Sequence, residues 1–91
     1  MRLEWDTKKA VLNLEKHGVS FEEASTIFGD PLSRTIPDPL HSEGEERSII
    51  VGLSTRMRVL VVSHIDQGET IRIISARPAG RRERQDYEEE I

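Results

Sequence analysis

Three consecutive segments rich in valine and isoleucine, in the second half of the chain, constrain its fold more than any other feature. They read "RSIIVGLS", "MRVLVVSHI" and "TIRIISAR", and runs of β-branched residues of this length are typical of strands. Only the short polar links "TR" and "DQGE" separate them, which is too little chain for the crossover that parallel neighbours require. The pattern therefore predicts an antiparallel meander.

The first half of the chain has the pattern of a short strand followed by two helices. "RLEW" predicts a first strand, and Asp6 is a good N-cap for a helix over residues 7–17 that ends at Gly18. Ser20 and Glu23 form a capping box for a second helix, which "GDP" ends. "LSRTIPD" then predicts a short or edge strand. The predicted inward stripe of the first helix consists of Ala10, Val11 and Leu14.

The last segment, "PAGRRERQDYEEE", predicts a helix that is polar on nearly all sides and therefore docks weakly or belongs partly to a partner. The whole order β-α-α-β-β-β-β-α predicts an α+β fold. We expect a small antiparallel β-sheet with two N-terminal helices packed on it and a C-terminal helix. At 91 residues, the chain is short enough for a single domain over residues 1–91.

The composition excludes several kinds of site. The chain has no cysteine, which rules out disulfides, thiolate metal sites and a cysteine nucleophile. Its three histidines fall in no HxH or HExxH spacing, so we expect neither a metal site nor a cofactor. No apolar run approaches the roughly 18 residues of a membrane span, and "MRLEWDTKK" is not a signal peptide. We therefore expect a soluble cytoplasmic protein without a membrane partner.

Charge is divided unevenly along the chain. Residues 1–46 hold five Lys/Arg and ten Asp/Glu, residues 47–84 hold eight arginines and three acids, and residues 85–91 add four acids. The net charge of −4 therefore hides a basic central block. This block contains no lysine, and the planar guanidinium fork suits bidentate recognition of phosphate. Pairing of these arginines with carboxylates elsewhere in the chain is the alternative, and both interpretations stay open.

A first candidate for function is "HSEGEER", from His41 to Arg47. This polar stretch leads into a buried strand, so it can hold functional side chains at the rim of a sheet on a rigid support. An ordinary charged hairpin loop is the alternative interpretation.

A second candidate is "RIISARPAGRRERQDYEEE". Arg72 lies in the middle of an apolar strand, and simple alternation places Arg77, at the end of that strand, on the opposite face. Arg81 and Arg84 share one side of the following helix with Tyr87. A salt-bridged surface helix is the alternative interpretation.

With no cysteine nucleophile, metal motif, P-loop or GxSxG sequence, the chemistry open to this chain needs only proton transfer and charge stabilisation. Cleavage of RNA is one such reaction, because the nucleophile is the substrate's own 2′-hydroxyl. Arginines at a sheet rim with a His, Glu or Tyr within reach are sufficient for it.

Several motifs, in this order, resemble the BrnT family of type II toxin–antitoxin toxins: "KHGVSFEEA", "EER" and "RIISAR". The resemblance extends from Glu4 to about Glu89 and implies a fold similar to the RelE-like ribonucleases. It further implies cleavage of mRNA, growth arrest, and neutralisation by a ribbon-helix-helix, BrnA-like antitoxin in a hetero-oligomer. Operator DNA would then be contacted mainly through the antitoxin. A toxin-fold module that only partners a DNA-binding antitoxin, without catalysis, is the alternative.

The resemblance also suggests site residues, because His41, Glu46 and Arg47 match the family's "HS…EER" element and others match "RIISAR" and "ER…Y". We expect the scissile phosphate to lie against Arg47 and Arg77, with His41 or Tyr87 moving a proton. The full set of expected catalytic residues is His41, Glu46, Arg47, Arg77 and Tyr87, and the expected RNA-binding residues are Arg58, Arg72, Arg81 and Arg84.

Overall fold

The strands predicted from the sequence lie side by side in one five-stranded sheet, of order β1-β5-β4-β3-β2. The computed structural model describes residues 1–42 and 44–89. Its elements are β1 (Arg2–Trp5), α1 (Thr7–His17), α2 (Phe21–Thr26), β2 (Arg34–Pro37), β3 (Arg47–Leu53), β4 (Val59–Gln67), β5 (Thr70–Pro78) and α3 (Arg81–Glu89). Short 3-10 turns at Ile27–Gly29 and Pro39–His41 flank β2. The α+β class and the order of elements are confirmed.

The sheet is mixed, so the prediction of an antiparallel sheet is wrong for one strand. β2, β3, β4 and β5 are antiparallel neighbours, whereas β1 pairs with β5 in parallel, with Leu3 opposite Ile71. α1 and α2 carry the chain from β1 to β2 at the opposite edge of the sheet. The strands β2, β3 and β4 then bring it back, so that β5 runs beside β1 in the same direction. A four-residue strand carries no sequence signal for its direction, because pairing is a tertiary property.

The hydrophobic core lies on one face of the sheet, under α2. Phe21, Ala24 and Ile27 are fully buried there against alternate strand residues, and Trp5 packs edge-on against Phe21 with ring centroids 6.0 Å apart. The strand residues of this core are Ile50, Leu60, Val62, Ile73 and Ala76. Because side chains alternate across a strand, the residues between them point to the opposite face.

The inward face of α1 is not the predicted stripe. Val11 and Leu14 are 53% and 50% exposed, whereas Asn13 is buried. The Asn13 side chain donates to the Val19 and Ala76 carbonyls, at 3.0 and 2.8 Å, and accepts from the Ala76 amide at 3.0 Å. β1 pairs with β5 only as far as Ile73, so the edge of β5 at Ala76 needs another partner. A polar residue therefore takes the inward position.

A buried ion pair fixes the β3–β4 turn to α2. Glu23 is 5% exposed and accepts from Arg58 Nε at 2.9 Å and from Ser54 Oγ at 2.8 Å. Arg58 Nη2 also donates to the Gly18 carbonyl at 3.1 Å. The Arg58 bond holds the pKa of Glu23 below its usual range, which keeps this buried carboxylate charged and paired.

The C-terminal helix is docked, contrary to the expectation from its polar sequence. Tyr87 is 4% exposed, and its hydroxyl donates to Asp30 Oδ2. The same carboxylate accepts from the amide of Leu53 at 2.8 Å and from that of Leu32 at 3.0 Å. One aromatic residue therefore provides an anchor that the average polarity of α3 conceals. Among the helices described, none is long and apolar enough to cross a membrane.

The Asn13 side chain provides the first test. Asn13→Ala leaves the Ala76 amide and carbonyl without partners, which costs about 2–3 kcal/mol of unfolding free energy. Urea unfolding measures this loss. Leu12→Ala is the matched control in the same helix, because Leu12 is 64% exposed and the substitution is expected to change stability by less than about 0.5 kcal/mol. Equal effects of the two substitutions would contradict the role assigned to Asn13.

Candidate active site

The face of the sheet opposite the core carries three of the expected arginines. Arg47 lies opposite Ile65, and Ile65 lies opposite Arg72, so these residues form one row across β3, β4 and β5. Arg77 begins another row, opposite Val61. Directly paired residues of neighbouring strands project to the same side, so all three guanidinium groups leave the sheet on this face, which we call the open face.

Arg72 and Arg77 share this face because of a β-bulge, whereas simple alternation separates them. Ser63 pairs with Ser75, and the next residue of β4, His64, pairs with Ile73. Ile74 is therefore an extra residue in β5 that shifts the alternation by one position. The buried residues confirm the shift, because Ile73 and Ala76, three apart, both belong to the core. The sequence-based assignment of Arg72 and Arg77 to opposite faces is wrong for this reason.

A cleft of about 240 Å³ opens on this face at the distal half of β5. Its polar side chains come from separate parts of the chain: the end of α1, the turn before β3, and strands β3 to β5. The lining residues are His17, Asp38, His41, Arg47, Ile49, Val61, Ser63, Ser75, Ala76 and Arg77. The fold thus brings His41, Arg47 and Arg77 together, although 36 positions separate the first from the last.

His41 is oriented by a carboxylate. Its Nδ1 lies 2.9 Å from Asp38 Oδ2, and the Asp38 side chain is 12% exposed while that of His41 is 67% exposed. A carboxylate only accepts hydrogen bonds, so Nδ1 carries the hydrogen and Nε2 is left as the proton acceptor of the neutral ring. Ser42 fixes this turn, because its hydroxyl donates to the Asp38 carbonyl at 2.6 Å and accepts from the Arg47 amide at 3.0 Å. This arrangement suits a general base.

Arg47 presents its guanidinium group to the cleft. It is the first residue of β3 and is partly buried. Within residues 1–42 and 44–89, its guanidinium has no hydrogen-bond or ion-pair partner. A partly desolvated guanidinium in a concave site attracts an anion more strongly than one on a flat surface. Arg47 is therefore the position best suited to receive a phosphate group.

Arg77, at the other side of the cleft, is held by α3. Its Nη1 and Nη2 donate to Glu83 Oε1 and Oε2 at 2.7 and 2.9 Å, in a bidentate pair. Glu83 Oε1 also accepts from the Gly80 amide at 2.8 Å. The Arg77 bond lowers the pKa of Glu83 to about 2. Both side chains remain accessible, at 44% and 39% exposure, and Arg77 keeps Nε–H and one Nη2 hydrogen for another acceptor.

The other expected site residues lie away from the cleft. The Tyr87 hydroxyl is bound to Asp30, and burial together with that carboxylate raises the pKa of Tyr87 to about 12. The Arg58 guanidinium binds the buried Glu23, and Arg58 and Arg84 line a second depression between α3 and the β3–β4 turn. Arg81 and Glu46 are exposed, in α3 and in the turn before β3, respectively. Arg72 is partly buried on the open face.

Three residues of this site were missed by the sequence analysis. His17 was predicted only as the last residue of the first helix, and Asp38 only as part of a strand; both line the cleft. Glu83 was counted only as one of the acids in the basic block. The Asp-x-x-His spacing from Asp38 to His41 was the available signal, because residues three apart face each other in a 3-10 turn. No group of three or more His, Asp or Glu side chains suited to a metal ion occurs among the residues described.

Comparisons with known proteins show the family to which this small α+β protein belongs. The family model of the ribonuclease toxin BrnT, of type II toxin–antitoxin systems, matches residues 5–83. The chain therefore belongs to the BrnT family, as the resemblance implied. The crystal structure of the Brucella abortus ribonuclease toxin BrnT matches with a TM-score of 0.69 and 21% identity, over 89% of this chain and 99% of that chain. No curated protein matches the chain.

The Arg77–Glu83 pair predicts a specific pH dependence. Because the folded-state pKa of Glu83 is depressed from 4.5 to about 2, the stabilisation from this pair is complete above about pH 4.5 and is lost as the pH falls towards 2. Carbon-13 NMR of the Glu83 carboxyl group, followed during an acid titration, measures this directly. Arg77→Ala is expected to move the midpoint up towards the ordinary glutamate value. A midpoint near the ordinary value in the unsubstituted protein would contradict the pairing.

Proposed function

We propose that this chain is an endoribonuclease toxin that cleaves mRNA in its cleft, without a metal ion, and thereby arrests growth. Membership of a family of ribonuclease toxins supports this activity. The observation that carries the assignment to the cleft is the juxtaposition of a carboxylate-oriented imidazole, His41, with two guanidinium groups, Arg47 and Arg77. An RNA substrate also places the reaction in the cytoplasm.

The proposed reaction is a transphosphorylation. Nε2 of His41 accepts the proton of the 2′-hydroxyl, the 2′-oxygen forms a bond to phosphorus, and the bond from phosphorus to the 5′-oxygen breaks. The products are a 2′,3′-cyclic phosphate and a 5′-hydroxyl. Asp38 stabilises the imidazolium that forms at His41, as a carboxylate does in a catalytic triad. Positioned general base catalysis of this kind contributes about 10²–10⁴-fold in rate.

Arg47 and Arg77 supply the charge stabilisation. The transferring phosphoryl group gains negative charge in the transition state, and preorganised cations at that position contribute most to the rate. Arg47 binds the phosphate with a guanidinium that has no partner in residues 1–42 or 44–89. Arg77 uses its two remaining hydrogens, or exchanges Glu83 for a phosphate oxygen, which is feasible because this pair is exposed and surface pairs contribute at most about 1 kcal/mol.

The RNA path extends from the cleft along the open face. Arg72 lies in one row with Arg47 across β4, so their Cα atoms are about 10 Å apart, a separation that suits contacts to neighbouring phosphates. Arg81 and Arg84 of α3 continue the positive surface beyond Arg77. Arg58 is left out of the proposed path, because its guanidinium is bound to the buried Glu23.

We further infer that a ribbon-helix-helix antitoxin of BrnA-like type neutralises this toxin in a hetero-oligomer that contacts operator DNA through the antitoxin. Membership of a type II toxin–antitoxin family implies a protein partner. Exposed apolar side chains next to the cleft support its position, since Leu40 is 86% exposed and Ile36, on the edge strand β2, is 55% exposed. We infer a fold of RelE-like type as well, since α1 and α2 pack on one side of the sheet and the opposite face carries Arg47, Arg72 and Arg77.

A non-catalytic module that only assembles with an antitoxin is the second candidate. The observation in its favour is that Arg77, one of the two cations of the cleft, is already paired with Glu83 in the free protein. If the chain has that function, substitution of Arg47 or Arg77 would weaken assembly with the antitoxin and would have no effect on RNA.

Alanine substitutions of the cleft arginines test the proposal. Arg47→Ala and Arg77→Ala are expected to relieve growth arrest on expression and to slow cleavage of a single-stranded RNA by about 10²–10³-fold, because each removes a charge from the transition-state site. Arg56→Ala is the matched control. Arg56 is also exposed, at 76%, but it lies 4.0 Å from Glu23 on the side of α2, so its loss leaves both growth arrest and cleavage unchanged.

The same assay is run in EDTA, and the ends of the products are analysed. The proposal requires undiminished cleavage and 5′ ends that a polynucleotide kinase phosphorylates directly. Loss of cleavage in EDTA with recovery on addition of Mg²⁺, or 5′-phosphate products, would contradict it. Intact RNA and normal growth with the unsubstituted protein would favour the non-catalytic module.

A further inference from the structure

We propose that His17 is the general acid of this reaction and donates its proton to the departing 5′-oxygen. The inference rests on the proposed function and adds a second catalytic residue to it. Transphosphorylation needs two proton transfers, one from the 2′-oxygen and one to the 5′-oxygen, at opposite sides of the phosphorus. His41 provides for the first, and the cleft contains one further imidazole, that of His17.

Position on α1 gives His17 its access to the cleft. Asn13 and His17 are four residues apart, so they lie on the same face of the helix. Asn13 fixes that face to the backbone of Ala76 through hydrogen bonds of 2.8 and 3.0 Å, and Ala76 and Arg77 both line the cleft. His17, one turn further on, is therefore held at the edge of β5 beside Arg77. Its partial burial agrees with this position.

The end of α1 fixes the position of this imidazole. His17 is the last residue of the helix, and Gly18, with φ of 69°, ends it in the left-handed conformation that glycine tolerates. In contrast with His41, His17 has no carboxylate partner among the residues described. The two imidazoles of the cleft therefore differ in their surroundings, and the one without a carboxylate is assigned to the second proton transfer.

The third histidine has no such access. His64 is 4% exposed on the core face of β4, and its ring packs edge-on against Phe28 with centroids 5.1 Å apart. Burial lowers the pKa of His64, so it stays neutral in the core. Of the chain's three histidines, only His17 and His41 line the cleft.

Nε2 of His41 takes the proton of the 2′-hydroxyl while the 2′-oxygen bonds to phosphorus. As the bond from phosphorus to the 5′-oxygen breaks, the electron pair stays on that oxygen, which takes the proton of the His17 imidazolium. The two histidines end with their protonation states exchanged, and proton exchange with water restores them.

The test compares ordinary RNA with RNA that carries sulfur in place of the 5′-oxygen at the scissile position. A thiolate leaves without protonation, so the sulfur substrate does not need a general acid. His17→Ala is expected to slow cleavage of ordinary RNA by about 10²–10⁴-fold. The same variant is expected to cleave the sulfur substrate at a rate near that of the unsubstituted protein. His41→Ala stays slow on both substrates. Lys16→Ala, the adjacent change at the same helix end, leaves both rates unchanged.

His17→Gln is measured in parallel, because it keeps a polar side chain of similar size and guards against a folding defect in the alanine variant. Thermal unfolding shows which His17 variant remains folded. If that variant slows cleavage of both substrates equally, the assignment of His17 as general acid is overturned, but the ribonuclease proposal is not. Failure of the unsubstituted protein to cleave either substrate would overturn the ribonuclease proposal itself and His17 with it.

Discussion

The extra residue in β5 is the constraint on which the rest of this site depends. Without the bulge at Ile74, the alternation that places Ile73 in the core would also place Ser75 and Arg77 on the core face, and it would turn Ala76 to the open face, where Arg72 already lies. A guanidinium at Arg77 would then point at the buried face, where an unpaired charge is too costly. With the bulge, small Ala76 enters the core, and both arginines reach the open face. A local irregularity of one strand therefore brings Arg77 to the same face as Arg72, the face that we propose to bind phosphate.

The candidate site at the distal half of β5 also includes groups from α1 and α3, which do not belong to the sheet. β1 stops at Ile73, and the Asn13 amide satisfies the edge beyond it. That contact brings the end of α1, with His17, to the cleft. On the other side, α3 is anchored through Tyr87 and Asp30 and presents Glu83 to Arg77. Each wall of the cleft is thus held by a polar contact that lies a few residues away from His17 or Arg77.

The sequence predicts the order of elements, both helix caps and the three long strands, because these depend on local pattern. Asp6 and Gly18 do cap α1, and Ser20 does accept from the Glu23 amide. Three features depend on contacts between distant segments, and no local pattern reveals them: the direction of β1, the inward position of Asn13, and the bulge at Ile74. The arginines show the same division. Arg58 and Arg47 look alike in the sequence, yet a buried carboxylate holds the first, and the second faces the cleft.

The central claim is that the phosphodiester binds on the open face, and methyl NMR during titration with a short RNA tests it most directly. Every 2′-hydroxyl of this RNA is methylated, so that none can act as nucleophile. Neighbouring residues of the strands provide internal controls, because Ile49 and Val61 line the cleft whereas Ile50 and Val62 are in the core. The account predicts shift changes at Ile49 and Val61 that saturate with added RNA, and much smaller ones at Ile50 and Val62. Changes confined to the outer face of α1 or to the turn around Arg56, with Ile49 and Val61 unmoved, would contradict it.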